Sequence, residues 1–187
     1  MNLWRKFMDN RPRIQKVSEK FYLFFTILIV LMPLYNILFW MFINYLPETL
    51  ITVNTTPVPL ANYELPLTIR FIGLLASFLP LSARIYGIVN LRRIFALYRK
   101  NIIFSYAHVE CFRKSGIALI LWMVAGMVYK SISGVLLTLG NPPGQRVLKV
   151  EFSSADFTAL VIGLLILVIS WVMEEARKLE EEQALTI

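Results

Sequence analysis

Residues Phe21–Leu46 read FYLFFTILIVLMPLYNILFWMFINYL, and no charged side chain interrupts them. An α-helix rises about 1.5 Å per residue, so roughly 20 apolar residues cross a hydrocarbon core about 30 Å thick. This stretch is therefore long enough to span a bilayer. Three further apolar runs follow it along the chain: Leu67–Leu91, Gly116–Leu139 and Phe157–Met173. The pattern predicts an all-α membrane protein, a four-transmembrane-helix bundle that forms a single integral membrane domain over residues 1–187.

The distribution of basic residues predicts which ends of the spans face the cytoplasm. The chain has a net charge of +7 and a mean hydropathy of +0.63. Fourteen Lys and Arg residues lie before the first span, between the second and third spans, or after the fourth span. The other two connections hold only Arg146 and Lys149. By the positive-inside rule both termini are cytoplasmic, and the loops Pro47–Pro66 and Gly140–Asp156 lie outside. The charge thus indicates contact with anionic headgroups of the lipid bilayer and no direct binding of nucleic acid.

Periodicity beyond the spans predicts that the second, third and fourth helices extend into the cytoplasm. Leu91, Phe95 and Tyr98 recur at helical spacing. Ser105 is a suitable N-cap for a helix that runs into the third span. After the fourth span, charges of opposite sign lie three or four residues apart, which favours a solvated acidic helix over residues 174–187. The basic residues 1–20 predict a short amphipathic helix on the cytoplasmic surface, with a disordered tail as the alternative.

Two outer segments alternate as β-strands do, and two prolines interrupt the apolar runs. Thr49–Val53 alternates β-forming residues, and Arg146–Phe152 does so after a turn. Both would lie on the same side of the membrane, so they allow a small external β ribbon, which is only marginally stable by itself. Pro33 and Pro80 predict kinks in the first and second spans.

Three basic residues lie inside the predicted spans, where an unpaired charge is costly. They are Arg70, Arg84 and Lys130. The candidate partners of Arg70 and Lys130 on the outer side are Glu64, Glu151 and Asp156, whereas Arg84 is within reach of the cytoplasmic side. Together Arg70, Arg84, Lys130 and Asp156 form a candidate intramembrane charge site for an anion or another substrate. The alternative is that the cations only snorkel to the interface and make structural ion pairs.

Small residues mark the predicted contacts between helices. Ala155, Ala159 and Gly163 form a stripe on the fourth span, and Gly126 and Gly134 form one on the third. Such stripes let two helix backbones approach closely, so the third and fourth spans should pack together. They leave the oligomeric state open.

The chain lacks the residue sets that catalysis or metal binding requires. His108 is the only histidine and Cys111 the only cysteine, so neither a three- or four-ligand His/Cys metal site nor an intrachain disulfide can be assembled. No Ser/His/Asp arrangement, Gly-rich phosphate loop or pair of intramembrane carboxylates can be assembled either. We therefore expect no catalytic residue, no metal, no cofactor and no enzymatic activity.

The second half of the chain resembles a known family. The resemblance rests on Ile94–Tyr98, on Ile103–Ser105 leading to Cys111–Gly116, and on the terminal sequence Glu181-Glu182-Gln183-Ala184-Leu185-Thr186-Ile187. These segments are similar to a bacterial membrane-protein family catalogued as a domain of unknown function, number 2975. The resemblance implies a four-helix, multi-pass protein of the bacterial inner (cytoplasmic) membrane. It also implies a regulatory partner, because members are often encoded beside a small helix-turn-helix, DNA-binding regulator.

Two functional hypotheses follow. The first is a non-enzymatic regulatory or interaction protein that holds a cytoplasmic protein partner at the membrane. The second is a small transporter or permeability factor for an anionic or lipidic substrate. In the first hypothesis the acidic tail docks beside the basic inner loop. The candidate partner-binding residues are Arg92, Arg93, Arg99, Lys100, Glu181, Glu182, Leu185, Thr186 and Ile187; packing of the last residues under the bundle is the alternative.

Overall fold

The apolar runs of the sequence form long helices. The computed structural model describes residues 11–55, 64–102, 105–142, 144–148 and 150–185. Within these ranges it contains five α-helices and one 3-10 turn, Ile43–Tyr45. The α-helices are α1 (Arg11–Met41), α2 (Glu48–Asn54), α3 (Leu67–Arg99), α4 (Tyr106–Thr138) and α5 (Ser154–Leu185). Most of the amphipathic helix predicted at the start of the chain falls on residues 1–10, outside the described residues.

Four of the helices are long and apolar enough to cross a membrane, which confirms the predicted number of spans. The candidate spans are Pro12–Met41, Leu67–Arg99, Tyr106–Thr138 and Ser154–Leu179. Only 11% to 28% of the residues in the most apolar window of each span are buried within the protein. The remaining apolar side chains face outward, where a bilayer would solvate them.

The spanning helices are longer than a bilayer requires. They contain 31, 33, 33 and 32 residues, which at about 1.5 Å per residue gives about 46–50 Å against a core of about 30 Å. Helical structure therefore continues past the apolar runs, as predicted for α3, α4 and α5. Ser105 is the N-cap of α4, but its hydroxyl pairs with Nδ1 of His108 at 2.9 Å instead of a backbone amide. Which side of the membrane these ends face stays a prediction.

The predicted β ribbon is wrong for the first outer segment, because Thr49–Val53 lies inside α2. Pro47 precedes the helix with extended backbone, and its carbonyl accepts hydrogen bonds from the amides of Leu50 and Ile51 at 3.0 and 3.3 Å. Ile51 is 6% exposed in the cluster of Phe39, Trp40 and other apolar side chains, so one helical turn satisfies burial as well as a strand would. None of the described residues 146–148 and 150–152 is in a strand.

The spanning helices pack in a row, with α1 on α3, α3 on α4 and α4 on α5. Where α4 crosses α5, a Cβ atom on Gly163 would lie 3.1 Å from the carbonyl oxygen of Gly116. This confirms the predicted close approach of the third and fourth spans and the role of Gly163. Gly126 was assigned wrongly, because a Cβ there meets nothing within 4 Å; its open side faces a cavity.

Candidate functional site

A cavity of about 550 Å³ lies between α1, the end of α2, α3, α4 and the first turn of α5. Its lining combines apolar side chains with polar and charged ones. The apolar part consists of Leu31, Met32, Phe39, Pro80, Leu81, Gly126 and Ala155, and the polar part of Tyr35, Asn36, Asn54, Thr55, Ser77, Arg84, Trp122, Tyr129, Lys130 and Asp156. Three of the four residues of the predicted intramembrane charge site therefore share one cavity.

Lys130 and Asp156 form an ion pair on the α4–α5 side of the cavity. The Lys130 Nζ donates to Asp156 Oδ2 at 3.0 Å. The same carboxylate oxygen accepts from the amide of Ser153 at 2.8 Å and from its hydroxyl at 2.6 Å. Asp156 thus serves two purposes, because it pairs with a lysine and accepts hydrogen bonds from the amide and the hydroxyl of Ser153, the residue before α5. Its predicted pairing with Lys130 is confirmed.

Arg84 lines the cavity from α3 and is held differently. Its guanidinium carbon is 4.7 Å from the centroid of the Trp122 ring, in a cation–π contact between α3 and α4. Among the described residues no carboxylate lies within ion-pair distance of Arg84. The side chain is exposed and borders the cavity.

Arg70 stands outside the cavity and has a structural role. Its Nε donates to the carbonyl of Leu65 at 2.8 Å, and its Nη1 donates to the carbonyl of Met41 at 3.2 Å. The side chain therefore ties the end of α1 to the segment that leads into α3. The prediction that Arg70 shares a site with Lys130 and Asp156 is wrong, since Arg70 is not among the residues that line the cavity.

Polar residues that the sequence analysis did not single out also line the cavity. Asn36 of α1 donates to the hydroxyl of Ser77 on α3 at 2.8 Å. Tyr129 is 8% exposed and packs in the cluster that includes Trp40. An asparagine in the middle of an apolar span was a usable signal, because polar side chains in spans usually bond to a neighbouring helix.

Arginines of the predicted partner-binding surface contact α1. The guanidinium carbons of Arg92 and Arg99 lie 5.5 and 4.7 Å from the Tyr22 ring centroid, and Arg99 approaches the Glu19 carboxylate at 3.7 Å. These two side chains are therefore partly engaged within the bundle. Arg93 and Lys100 are exposed.

The start of the acidic tail contacts α4. Arg113 Nη1 lies 4.0 Å from Glu174 Oε2, and the Arg177 guanidinium carbon lies 5.4 Å from the Tyr106 ring centroid. Arg177 also pairs with Glu181 along α5. Beyond this point the side chains of Glu181 and Glu182 are exposed. The backbone of Leu185 ends α5, whereas its side chain and residues Thr186 and Ile187 lie outside the described part.

His108 is buried at the end of the bundle away from the cavity. Its Nδ1 pairs with Ser105, and its ring centroid is 4.7 Å from that of Tyr98. In the described ranges no group of three His, Cys, Asp or Glu residues could hold a metal ion. The absence of a metal site, a cofactor and a catalytic residue in the whole chain stays a prediction.

Comparison with protein families gives one match. The family described as protein of unknown function (DUF2975) matches residues 21–187. Neither the curated proteins nor the solved structures contain a match. The match covers nearly the whole chain, including all four spanning helices and the cavity between them. The chain therefore belongs to the DUF2975 family.

Proposed function

We propose that this multi-pass membrane protein is a ligand-binding regulatory protein whose cavity takes up a small molecule. The observation that carries the proposal is the cavity of about 550 Å³ with its mixed lining. Pockets for small molecules typically measure about 300–1,000 Å³ and combine apolar walls with a few polar groups. Polar and charged groups are costly within a bilayer, which is why such groups there usually mark a functional site.

The cavity can be filled at one position with little strain elsewhere. A Cβ atom at Gly126 meets nothing within 4 Å, so Gly126→Leu should place its side chain in the cavity. Val128 is 44% exposed on the same helix and is not among the lining residues. Val128→Leu therefore adds apolar volume to α4 without occupying the cavity and is the matched control.

Native mass spectrometry of the purified full chain tests the proposal. We expect a bound small molecule on the wild type and on Val128→Leu, and at least a tenfold lower occupancy on Gly126→Leu. Equal occupancy on all three proteins, or a wild type that carries no bound molecule, would contradict ligand binding in this cavity.

A second candidate function is attachment of a cytoplasmic protein partner, such as the DNA-binding regulator that the family resemblance implies. The supporting observation is that α5 continues to Leu185 beyond its contacts with α4 at Glu174 and Arg177, with exposed acidic side chains. Charge reversal of Glu181 and Glu182 should lower recovery of the partner from crosslinked membranes. Reversal of Glu175, which pairs with Lys178 at 3.3 Å, is the control. Unchanged recovery after reversal of Glu181 and Glu182 would count against this role.

Transport has less support. Binding sites of transporters are typically built on discontinuous helices, whereas α1, α3, α4 and α5 are each continuous within the described residues. Pro33 and Pro80 lie inside helices that are not interrupted.

The orientation proposed for the protein places both termini in the cytoplasm of a bacterium, with the cytoplasmic membrane as its location. The charge distribution supports it. Reporter fusions at Asn54 and Gly144 should report an external position, and a cytoplasmic position for either residue would contradict this orientation.

A further inference from the structure

We propose that the cavity binds an anionic amphiphile, with an oxyanion headgroup against Arg84 and an alkyl chain that reaches the bilayer between α1 and α5. This inference rests on the proposed ligand-binding function and names the chemical class of the ligand. The headgroup chemistry is that of a carboxylate or a phosphate, carried by a lipid or a fatty acid.

Arg84 is the charged residue of the cavity that has no carboxylate partner among the described residues. Three charged side chains line the cavity: Arg84, Lys130 and Asp156. Lys130 is paired with Asp156 at 3.0 Å, whereas no carboxylate of the described residues lies within ion-pair distance of Arg84. A single anionic group would neutralise Arg84, and a bilayer strongly favours neutrality.

The contact that Arg84 makes leaves its hydrogen-bonding edge available. Trp122 covers the guanidinium at 4.7 Å from ring centroid to Cζ, and a cation–π contact uses the face of the cation. Guanidinium groups carry five N–H donors in a planar fork, which suits bidentate binding of a carboxylate or a phosphate. Tyr129 also lines the cavity, from α4.

The walls of the cavity suit an alkyl chain. Leu31, Met32 and Phe39 line it from α1, and Leu81 lines it from α3. Leu31 and the neighbouring Tyr35 are 51% and 53% exposed, so this wall reaches the outer surface of the bundle. An amphiphile can therefore place its headgroup inside while its chain follows an apolar wall outward.

The arrangement of the helices leaves a route to the bilayer. Extensive packing joins α1 to α3, α3 to α4 and α4 to α5, which makes α1 and α5 the two ends of a row. Both ends contribute to the cavity, α1 through Tyr35 and Asn36 and α5 through Ala155 and Asp156. Because α1 and α5 make at most marginal contact with each other, the side between them is the opening through which a lipid-borne ligand would enter.

Thermal unfolding of the full chain in a neutral maltoside detergent tests the ligand class with four probes: sodium laurate, dodecyl phosphate, dodecanol and inorganic phosphate. We expect laurate and dodecyl phosphate to raise the melting temperature by several degrees, since a ligand that binds only the folded state stabilises it. Dodecanol and inorganic phosphate should have no such effect. The larger of the two positive shifts identifies the headgroup.

Variants assign the effect to the cavity. Arg84→Gln should reduce the affinity for the anionic probes at least tenfold, and Arg84→Lys should retain part of it. Arg146→Gln removes the same charge from an exposed loop residue and should behave as the wild type. If Arg84→Gln fails to fold, the response to the anionic probes is compared between Gly126→Leu, which fills the cavity, and Val128→Leu, which does not.

Each outcome decides the inference. Stabilisation by dodecanol equal to that by laurate would overturn the counter-ion role of Arg84 and leave ligand binding in the cavity intact. Stabilisation by inorganic phosphate alone would overturn the amphiphile and its route from the bilayer. An equal response of Arg84→Gln and the wild type, or no response to any probe, would overturn the inference as a whole. The proposed function is tested separately, by the amount of bound small molecule that native mass spectrometry finds on Gly126→Leu.

Discussion

Two cations that line the cavity are held in two different ways, the partly buried Lys130 and the exposed Arg84. On the α4–α5 side, Lys130 has a carboxylate partner at 3.0 Å, and that carboxylate is itself fixed by Ser153. On the α3–α4 side, Arg84 has only the face of Trp122. The first arrangement is complete by itself, so it is suited to hold helices together. The second leaves donors unused within the described protein, so it is suited to a group that comes from outside.

The largest expected change in the free energy of unfolding comes from removing the charge of Asp156, the partner of Lys130. Asp156→Asn removes the carboxylate charge that lies 3.0 Å from the partly buried Lys130 Nζ, and it weakens the hydrogen bonds that Ser153 donates before α5. Removal of one partner of a buried pair typically costs about 3–5 kcal/mol; since the Lys130 side chain is 27% exposed, we expect a loss of about 3 kcal/mol in the free energy of unfolding. Denaturant-induced unfolding of the purified protein measures it.

The control for this change removes both charges. The double variant Lys130→Met with Asp156→Leu should recover part of the stability, because neither charge of the pair remains, although the Ser153 amide and hydroxyl lose their acceptor. A single variant as stable as the wild type would show that the pair does not hold α4 to α5.

An intermediate effect of opposite sign is expected at Gly126, beside the cavity. Gly126→Ala should raise the free energy of unfolding by about 1 kcal/mol, because alanine favours the helix over glycine and its Cβ meets nothing within 4 Å. Gly163→Ala is the contrasting variant, since its Cβ would lie 3.1 Å from the carbonyl oxygen of Gly116, and it should destabilise. Thermal unfolding of both variants tests the difference in sign, and destabilisation by Gly126→Ala would mean that the space beside α4 is filled.

The smallest change in the free energy of unfolding is expected for a substitution of Arg84, measured in the absence of a ligand. Arg84→Gln loses a cation–π contact worth about 0.5–1 kcal/mol but also removes an uncompensated charge, so we expect a net change within about 0.5 kcal/mol. The measurement is the same denaturant titration, in delipidated protein. A loss as large as that of Asp156→Asn would show that Arg84 has a structural partner and would remove the contrast between the two sides.

The parts of the fold that follow from composition could be predicted from the sequence. The four spans are an outcome of length and apolarity, and the pairing of Lys130 with Asp156 follows from charges near the same end of neighbouring helices. The packing of Gly163 followed from a stripe of small residues. In each case a strong local signal in a bilayer leaves few alternatives.

Features that depend on helix rotation and on short segments could not be predicted. The spacing of Gly126 and Gly134 suggests that they lie on a contact face of α4. In the structure Gly126 faces the cavity instead, and Gly116 is the glycine of α4 that contacts Gly163 of α5. Thr49–Val53 alternates as a strand would, but a single turn of helix after Pro47 buries Ile51 equally well. The cavity itself arises from several helices at once, so no single stretch of sequence encodes it.

The length of α5 has a mechanical consequence. One continuous helix joins Asp156, which lines the cavity, to Leu185 at the far end of the chain. At about 1.5 Å per residue the arm between them measures about 43 Å. A tilt of about 5° at the cavity end would therefore carry the far end through about 4 Å, more than the reach of a hydrogen bond. Small adjustments around Asp156 are thus amplified, without any break in the helix, at the acidic surface of Glu181 and Glu182.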